Sequence, residues 1–461
     1  MSINTALLSG VSGLKANSSA LASVSDNIQN ANTVGYKRVR NDFTAMLIEQ
    51  SHVSSYNAGG VRATQSAEIA DQGSIQASST STHLAVSGDG MFVTRLKSDD
   101  ATASDQYYFT RAGQFSPDED GFLQNTAGYY LYGWPADESG APDTVGSTNL
   151  GSLEPVQVTG IDGIAEATSN MSISANLDAS EAVSTAATTY DLATNPGVSM
   201  ASGAVTPDFQ TTVQIYDSLG GTRTVAMSFL KSPTANEWFA EIHAVPASAM
   251  QATGLPDGLL ASGTVAFTSD GQLDMANTTL PTSLSIGASD TPVTAPAVGW
   301  AASEGLSAQT INFDFAGANT TGGITQYESA SELSKSSVDG VAFGVLAQIE
   351  VDDDGNVNAL FTNGLSRPIY KLPLASFANP SGLITEAGGA YSASIDAGSV
   401  ILAAANQNGS GLINSYSLEG STVDLAEEFT NLIVVQRAYS ASSKIITTAD
   451  EMLNELIQLK R

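Results

Sequence analysis

At 461 residues the chain is too long for one ordinary domain and long enough to bury two or three separate cores. Its formal net charge is -30, and Arg223 and Lys231 are the only Lys or Arg between Arg111 and Lys335, so the middle of the chain repels phosphate backbones and anionic lipid; nucleic acid is not an expected partner. Cysteine is absent, which excludes disulfides, thiolate metal sites and cysteine nucleophiles.

Charged residues make up only 14% of the chain while Gly, Ser, Thr, Ala and Asn are abundant, a balance typical of β-rich extracellular proteins. The start, MSINTALLSGVSGL at 1–14, has no positively charged leader, and no run of about 18 apolar residues occurs, so membrane insertion is not expected. An extracellular location would then require export without a cleaved leader.

The first predicted element is a helix over 3–28. Ile3, Leu7, Val11, Leu14, Leu21, Val24 and Ile28 recur at steps of three, four and seven, which marks one helical face. Gly10 and Gly13 each cost about 1 kcal/mol relative to alanine, so this helix needs a partner surface. After it comes the Asn-rich stretch NIQNANTVGYK at 27–37, where Gly35 suits a left-handed turn and Tyr36 an apolar anchor.

The period then changes from 3.6 to 2. The turn at 118–121 separates Phe115 from Phe122 and Leu123; Val225, Met227 and Phe229 alternate; Val265 and Phe267 lead to a turn at Asp270 and Gly271 before Leu273. Ala347, Ile349 and Val351 alternate up to Asp353, Asp354 and Gly355, and Val357, Ala359 and Phe361 resume beyond, a hairpin pattern. The composition shifts around 148–309, which reads as an inserted outer β domain; 73–147 and 310–410 would form one inner β domain split by it. Residues 31–72, with 411–419, connect this interior to the ends.

The last element is a helix over 424–459. Leu425, Leu432, Tyr439, Ile446 and Leu453 stand seven apart, with Val435, Ala449 and Leu456 three residues after members of that series, a heptad seam. Asp424 and Glu427 have capping-box spacing, and Lys460 with Arg461 complement the helix dipole. The expected fold class is therefore multi-domain: coiled-coil termini at 1–30 and 420–461 around mainly-β domains. On periodicity alone the two stripes also suit an ordinary intramolecular helical hairpin.

Asn27, Asn30, Asn32, Thr33, Gly35, Tyr36 and Lys37 in NIQNANTVGYK resemble the signature of the bacterial flagellar rod and hook family. HLAVSGDGMFVTR at 83–95, YFTRAGQFSPDEDGFLQNTAGYYLYGW at 108–134 and LEGSTVDLAEEFTNLIVVQRAYSASSKIITTADEMLNEL at 418–456 follow in the family's order. VQIYDSLGGTRTVAMSFLK at 213–231, IEVDDDGNVNALFTNG at 349–364 and LPLASFANPSGL at 372–383 resemble hook rather than rod members.

The resemblance implies a non-enzymatic subunit of an extracellular helical homopolymer, a curved tube acting as a universal joint between motor and filament. It implies self-association through the terminal stripes, contacts with a distal rod protein, a hook assembly cap protein and a hook-to-filament junction protein, and export by the flagellar type III apparatus. A distal rod axial protein remains an alternative, as does a secreted enzyme or binding module displayed on polymer-forming ends.

No chemistry competes visibly with that reading. His52, His83 and His243 are scattered outside any metal pattern. Glu350, Asp352, Asp354 and Gly355 resemble a calcium loop, but position twelve is Phe361 where a bidentate carboxylate is needed, so a hairpin turn is expected. The GxG at 88–90 lacks a following helix and reads as a tight turn. No catalytic residue, metal site or cofactor is expected.

Overall fold

The computed structural model describes residues 3–46, 60–98, 106–137 and 150–459, apart from 193, 196, 254, 256–257, 291–296, 318–321 and 408. His52, Lys460 and Arg461 therefore lie outside the described residues. The chain divides into two compact units: one comprises 1–161, 347–360 and 366–461, the other 162–346 and 361–365.

The first unit contains both terminal helices, α1 (Ile3–Gln29) and α2 (Leu425–Leu459). They run antiparallel: Gly10 lies against Ile446 and Ile445, Gly13 against Ser442, and Asn17 Nδ2 donates to Ser442 Oγ across 3.4 Å. The glycines that weaken α1 in isolation are what let it approach α2, since a Cβ on Gly10 would stand 2.9 Å from Ile446 Cγ1. A two-stranded ribbon, Val39–Ala45 paired with Val61–Ala67, also contacts α1; Ser12 Oγ accepts from Val61 N and Gln65 Nε2 donates to Ser23 Oγ.

Beyond the ribbon, the ends of the chain are stitched together by short strands: Ile75–Ala77 pairs with Ser417–Glu419, and Leu84–Ser87 with Leu412–Ser415. The core of this unit gathers Met91, Val93, Phe109, Tyr132, Trp134, Leu153, Ala375, Phe377, Tyr391 and Leu402.

The second unit holds a four-stranded antiparallel sheet, Phe209–Tyr216, Thr222–Lys231, Glu237–Val245 and Leu259–Ala266 in that order, and a seven-stranded mixed sheet around Asn170–Asp178. Met171, Ile173, Ala175 and Leu177 alternate into one core with Val225, Met227, Phe229, Trp238, Ile242 and Phe313. The two basic residues isolated in the sequence both have partners here: Arg223 pairs with Asp217 at 2.8 Å and Glu304 at 2.6 Å, and Lys231 donates to the Ala179 carbonyl.

The boundaries differ from those suggested by composition. Residues 310–346 belong with the insertion, because Asn170–Asp178 takes Gln309–Asp314, Ile324–Tyr327 and Glu332–Val338 as hydrogen-bonded neighbours. Residues 150–161 belong with the first unit, because Glu154–Pro155 pairs with the strand Tyr130–Pro135 and Leu153, Val156 and Val158 are buried. Long-range pairing decides both edges, and a composition shift does not register pairing.

Four turns, the predicted ones at Asp118 and Asp354 among them, share one construction; the predicted turn at Asp270 and Gly271 closes instead on Thr268. Asp118, Asn125, Asp217 and Asp352 each accept with a side-chain oxygen from the N–H groups two and four residues on, and Gly121, Gly128, Gly220 and Gly355 stand at the third place with positive φ. The acidic turns are thus closed by their own backbone. In the calcium-like loop Asp352 Oδ2 also takes Asn356 Nδ2 at 2.8 Å, and none of the described residues forms a His/Asp/Glu cluster able to hold a metal.

Candidate functional site

Where α1 ends, Asn27 turns the chain. Its Oδ1 accepts from Val39 N at 3.0 Å and from the Tyr36 hydroxyl at 3.1 Å, while its Nδ2 donates to Val39 O at 3.0 Å, closing 27–39 into a loop. Asn30 Nδ2 donates to Asp26 O and Thr33 Oγ1 to Asn30 Oδ1, so two more signature residues tie off the last helical turn; Asn32 is exposed beside them. Gly35 adopts φ 68°, and its N–H donates to Glu419 O at 2.8 Å. A Cβ there would meet Ala112 N and Arg111 C at 2.7 Å, so only glycine fits. Tyr36 packs half-buried, and burial pushes its hydroxyl pKa up.

Lys37 then enters the interior. Its Nζ lies 2.6 Å from Glu419 Oε1 with both side chains 0% exposed, and it also donates to the Asp71 carbonyl. Glu419 Oε1 accepts from Gly73 N at 2.8 Å, and Oε2 pairs with Arg111 Nη1 at 3.3 Å. Arg111, 1% exposed, donates its other terminal nitrogen to Gly88 O at 2.6 Å. Two cations thus share one carboxylate, and the main-chain carbonyls of Asp71 and Gly88 each accept one further bond, while Arg111 Nε has no partner among the described residues. Burial lowers the Lys37 pKa, only partly opposed by Glu419.

A second ionic contact holds α2. Arg38 Nε reaches Glu428 Oε1 at 2.7 Å and Nη2 reaches Glu427 Oε1 at 2.7 Å. Asp424 caps α2, accepting from Ala426 N and Glu427 N, but Glu427 does not complete the expected capping box because its carboxylate is spent on Arg38.

Val24 is buried, Leu7, Leu14, Leu21 and Ile28 are half-buried, and Val11 is 54% exposed. On α2, Leu432, Val435, Ile446 and Leu453 are half-buried, and the side chain of Leu456 lies outside what is described. Leu425 and Tyr439 are 43% exposed each, so within one chain the seam departs from the expected heptad. Glu428, Val435, Ser442 and Ala449 carry it with Leu432, Ile446 and Leu453, because small or paired residues at these positions let α1 come close.

Local spacing does not single out Glu419, Arg111, Arg38 or Glu428. The available signal was isolated charge: Arg111 follows a buried apolar strand, and Glu419 ends the short strand before α2. The histidines remain apart: His83 Nδ1 meets Ser78 Oγ at 2.7 Å in the first unit, and His243 Nε2 lies 3.4 Å from Gln210 Nε2 in the second. The GxG is a tight turn, with Gly88 at φ 124° against Gly411.

Comparison with known proteins gives these segments a common origin. Residues 7–37 match the family described as Flagella basal body rod protein, 85–176 the Flagellar hook protein FlgE/F/G D1 domain, 176–341 the Flagellar basal body protein FlaE D2 domain, and 414–459 the Flagellar basal body rod FlgEFG protein C-terminal region. A flagellar hook protein FlgE of Caulobacter vibrioides is 35% identical with all of both chains covered. The chain belongs to the flagellar hook protein family. Its relatives in Rhizobium meliloti and Brucella suis are 34% and 30% identical, again with all of both chains covered. Membership makes the chain a structural subunit of the flagellar hook. Lys37, Arg111 and Glu419 fall in three separately matched segments.

Proposed function

We propose that this chain polymerises through its terminal helices into a curved, flexible extracellular tube that passes motor torque to the filament as a universal joint. One observation carries the reading. While one face of α2 is occupied by α1, apolar residues on both of its flanks stay exposed: Leu425, Phe429 and Tyr439 on one side, Val434, Ile445 and Met452 on the other. Each such side chain contributes about 1.5–3 kcal/mol when fully buried, so neighbouring copies on both sides would stabilise helices that are marginal in a free chain.

The role is structural rather than enzymatic. Its expected partners are further copies of itself, with a distal rod protein, a hook assembly cap protein and a hook-to-filament junction protein at the ends of the polymer, after export through the flagellar type III apparatus. Bending requires spacing on the inner and outer sides of the tube to differ; polar contacts between the acidic second units of neighbouring copies would slide while the helical core stays connected.

Electron microscopy of self-assembled material tests this. The full chain should form curved tubes, and chains lacking 1–30 or 420–461 should form none. Tube growth untouched by either truncation would end the proposal.

A further inference from the structure

We propose that Glu419 is a positioning residue that locks the helix pair to the β-rich part of its own unit, so that torsion applied to the helices reaches the strands without a hinge. The inference rests on the torque-transmitting reading above and assigns it a residue.

Covalently, the helix pair meets the strands only through the segment after α1 and the segment before α2. Two chain crossings by themselves permit pivoting about the line that joins them. Alongside the Arg38 contacts to Glu427 and Glu428 on α2, Glu419 restrains that freedom at the crossings themselves. Its carboxylate binds Lys37 on the first crossing, Gly73 N on the segment leading to Ile75–Ala77, and Arg111 beyond the strand Tyr108–Thr110, while its main-chain oxygen takes Gly35 N.

The backbones around it leave no slack. A Cβ on Gly73 would fall 2.1 Å from Gly420 O, Gly420 N donates to Ser74 O at 2.8 Å, and Thr422 N donates to Tyr36 O at 3.1 Å. The carboxylate is sealed from water, so its bonds do not exchange with solvent partners as a surface ion pair would.

A role confined to stability makes a different prediction from a role in orientation. Buried ionic triads are often replaced by well-packed apolar residues with little loss of stability, but apolar contacts are not directional. The triple variant Lys37→Met, Arg111→Met, Glu419→Leu should therefore fold and assemble, yet give tubes with a severalfold broader spread of curvature by electron microscopy. Lys37→Arg, which keeps the charge, should stay near the native spread. Triple-variant tubes with native curvature would overturn the assignment.

Hydrogen exchange on the native monomer reads the junction independently of tube formation and of variant folding. The amides of Gly35 and Gly73 should exchange as slowly as those of Phe92 and Val93 in the adjoining sheet; exchange as fast as the opening turns of α1 would overturn the lock. A native chain that forms no tubes but shows slow Gly35 and Gly73 exchange would refute the torque reading and leave the lock standing.

Discussion

Gly10 and Ile446 are in contact across the antiparallel helix pair, with room for a hydrogen and none for a methyl: a Cβ on Gly10 would stand 2.9 Å from Ile446 Cγ1. Gly10→Ala gains about 1 kcal/mol of helix propensity and loses a comparable amount to the shift it forces on the β-branched Ile446 side chain. Gly10→Val has no such offset and should separate the helices. Sedimentation of assembled material should show polymer from the alanine variant and a large loss from the valine variant, with the thermal midpoints of the β-rich units unchanged.

Gly35→Ala should be costly. The residue sits at φ 68° with its Cβ position against Arg111 and Ala112 backbone, so strain and overlap add. We expect a loss of about 2 kcal/mol or more in denaturant unfolding of the first unit. Gly364, at φ 86° with open space around it, provides the control: alanine there should cost about 1 kcal/mol.

The two carboxylates hydrogen-bonded to Arg38, those of Glu427 and Glu428, should differ sharply. Glu428 is 1% exposed and its second oxygen has no hydrogen-bond partner among the described residues, whereas Glu427 is 54% exposed. Arg38→Ala leaves Glu428 as an unpaired buried charge and should cost about 3 kcal/mol. Glu427→Ala should cost less than about 1 kcal/mol. Circular dichroism of assembled polymer against denaturant measures both; equal effects would contradict the burial difference.

Asp352 closes a hairpin rather than a cation site. Asp352→Ala should cost about 1 kcal/mol through lost turn hydrogen bonds. Calorimetry of the native chain should give the same midpoint with millimolar calcium or with chelator. A calcium-dependent rise would revive the metal reading.

Asp339 provides a pH test in the second unit. Burial raises its pKa, but hydrogen bonds from Ser169 and Asn170 outweigh it and leave the value depressed. A depressed carboxylate stabilises the fold fully above its ordinary value near about 3.9, and that contribution is lost as pH falls through the folded value. The midpoint difference between native chain and Asp339→Asn should therefore be small but constant from pH 7 to pH 5, both assay settings at roughly neutral to mild acid, and should shrink below about pH 4. A difference that grew on acidification would show the opposite linkage.

Both helices and the hairpin turns were legible because each is written in local spacing. Apolar steps of three, four and seven mark α1 and α2, and breaks in period-two alternation at Asp- and Gly-containing stretches mark the turns at Asp118, Asp270 and Asp354. The seam was legible only in outline: the sequence nominates Leu425 and Tyr439 beside Ala449, but only Ala449 of these three is buried, and Ser442 joins the seam because α1 presents Gly13 there. The seam is a property of the pair, which one helix's periodicity does not encode.

What the sequence by itself determined is the class of the protein: a cysteine-free, acidic, β-rich interior between two amphipathic ends, with a signature whose glycine and asparagines already specify a turn. Only the tertiary structure decided that Lys37, Arg111 and Glu419 meet, and where the inserted unit begins and ends. The physical reason is the same in both cases. Hydrogen bonds and ion pairs between residues far apart in sequence depend on chain path, and no local pattern of hydrophobicity or charge records which distant partner a buried group will find.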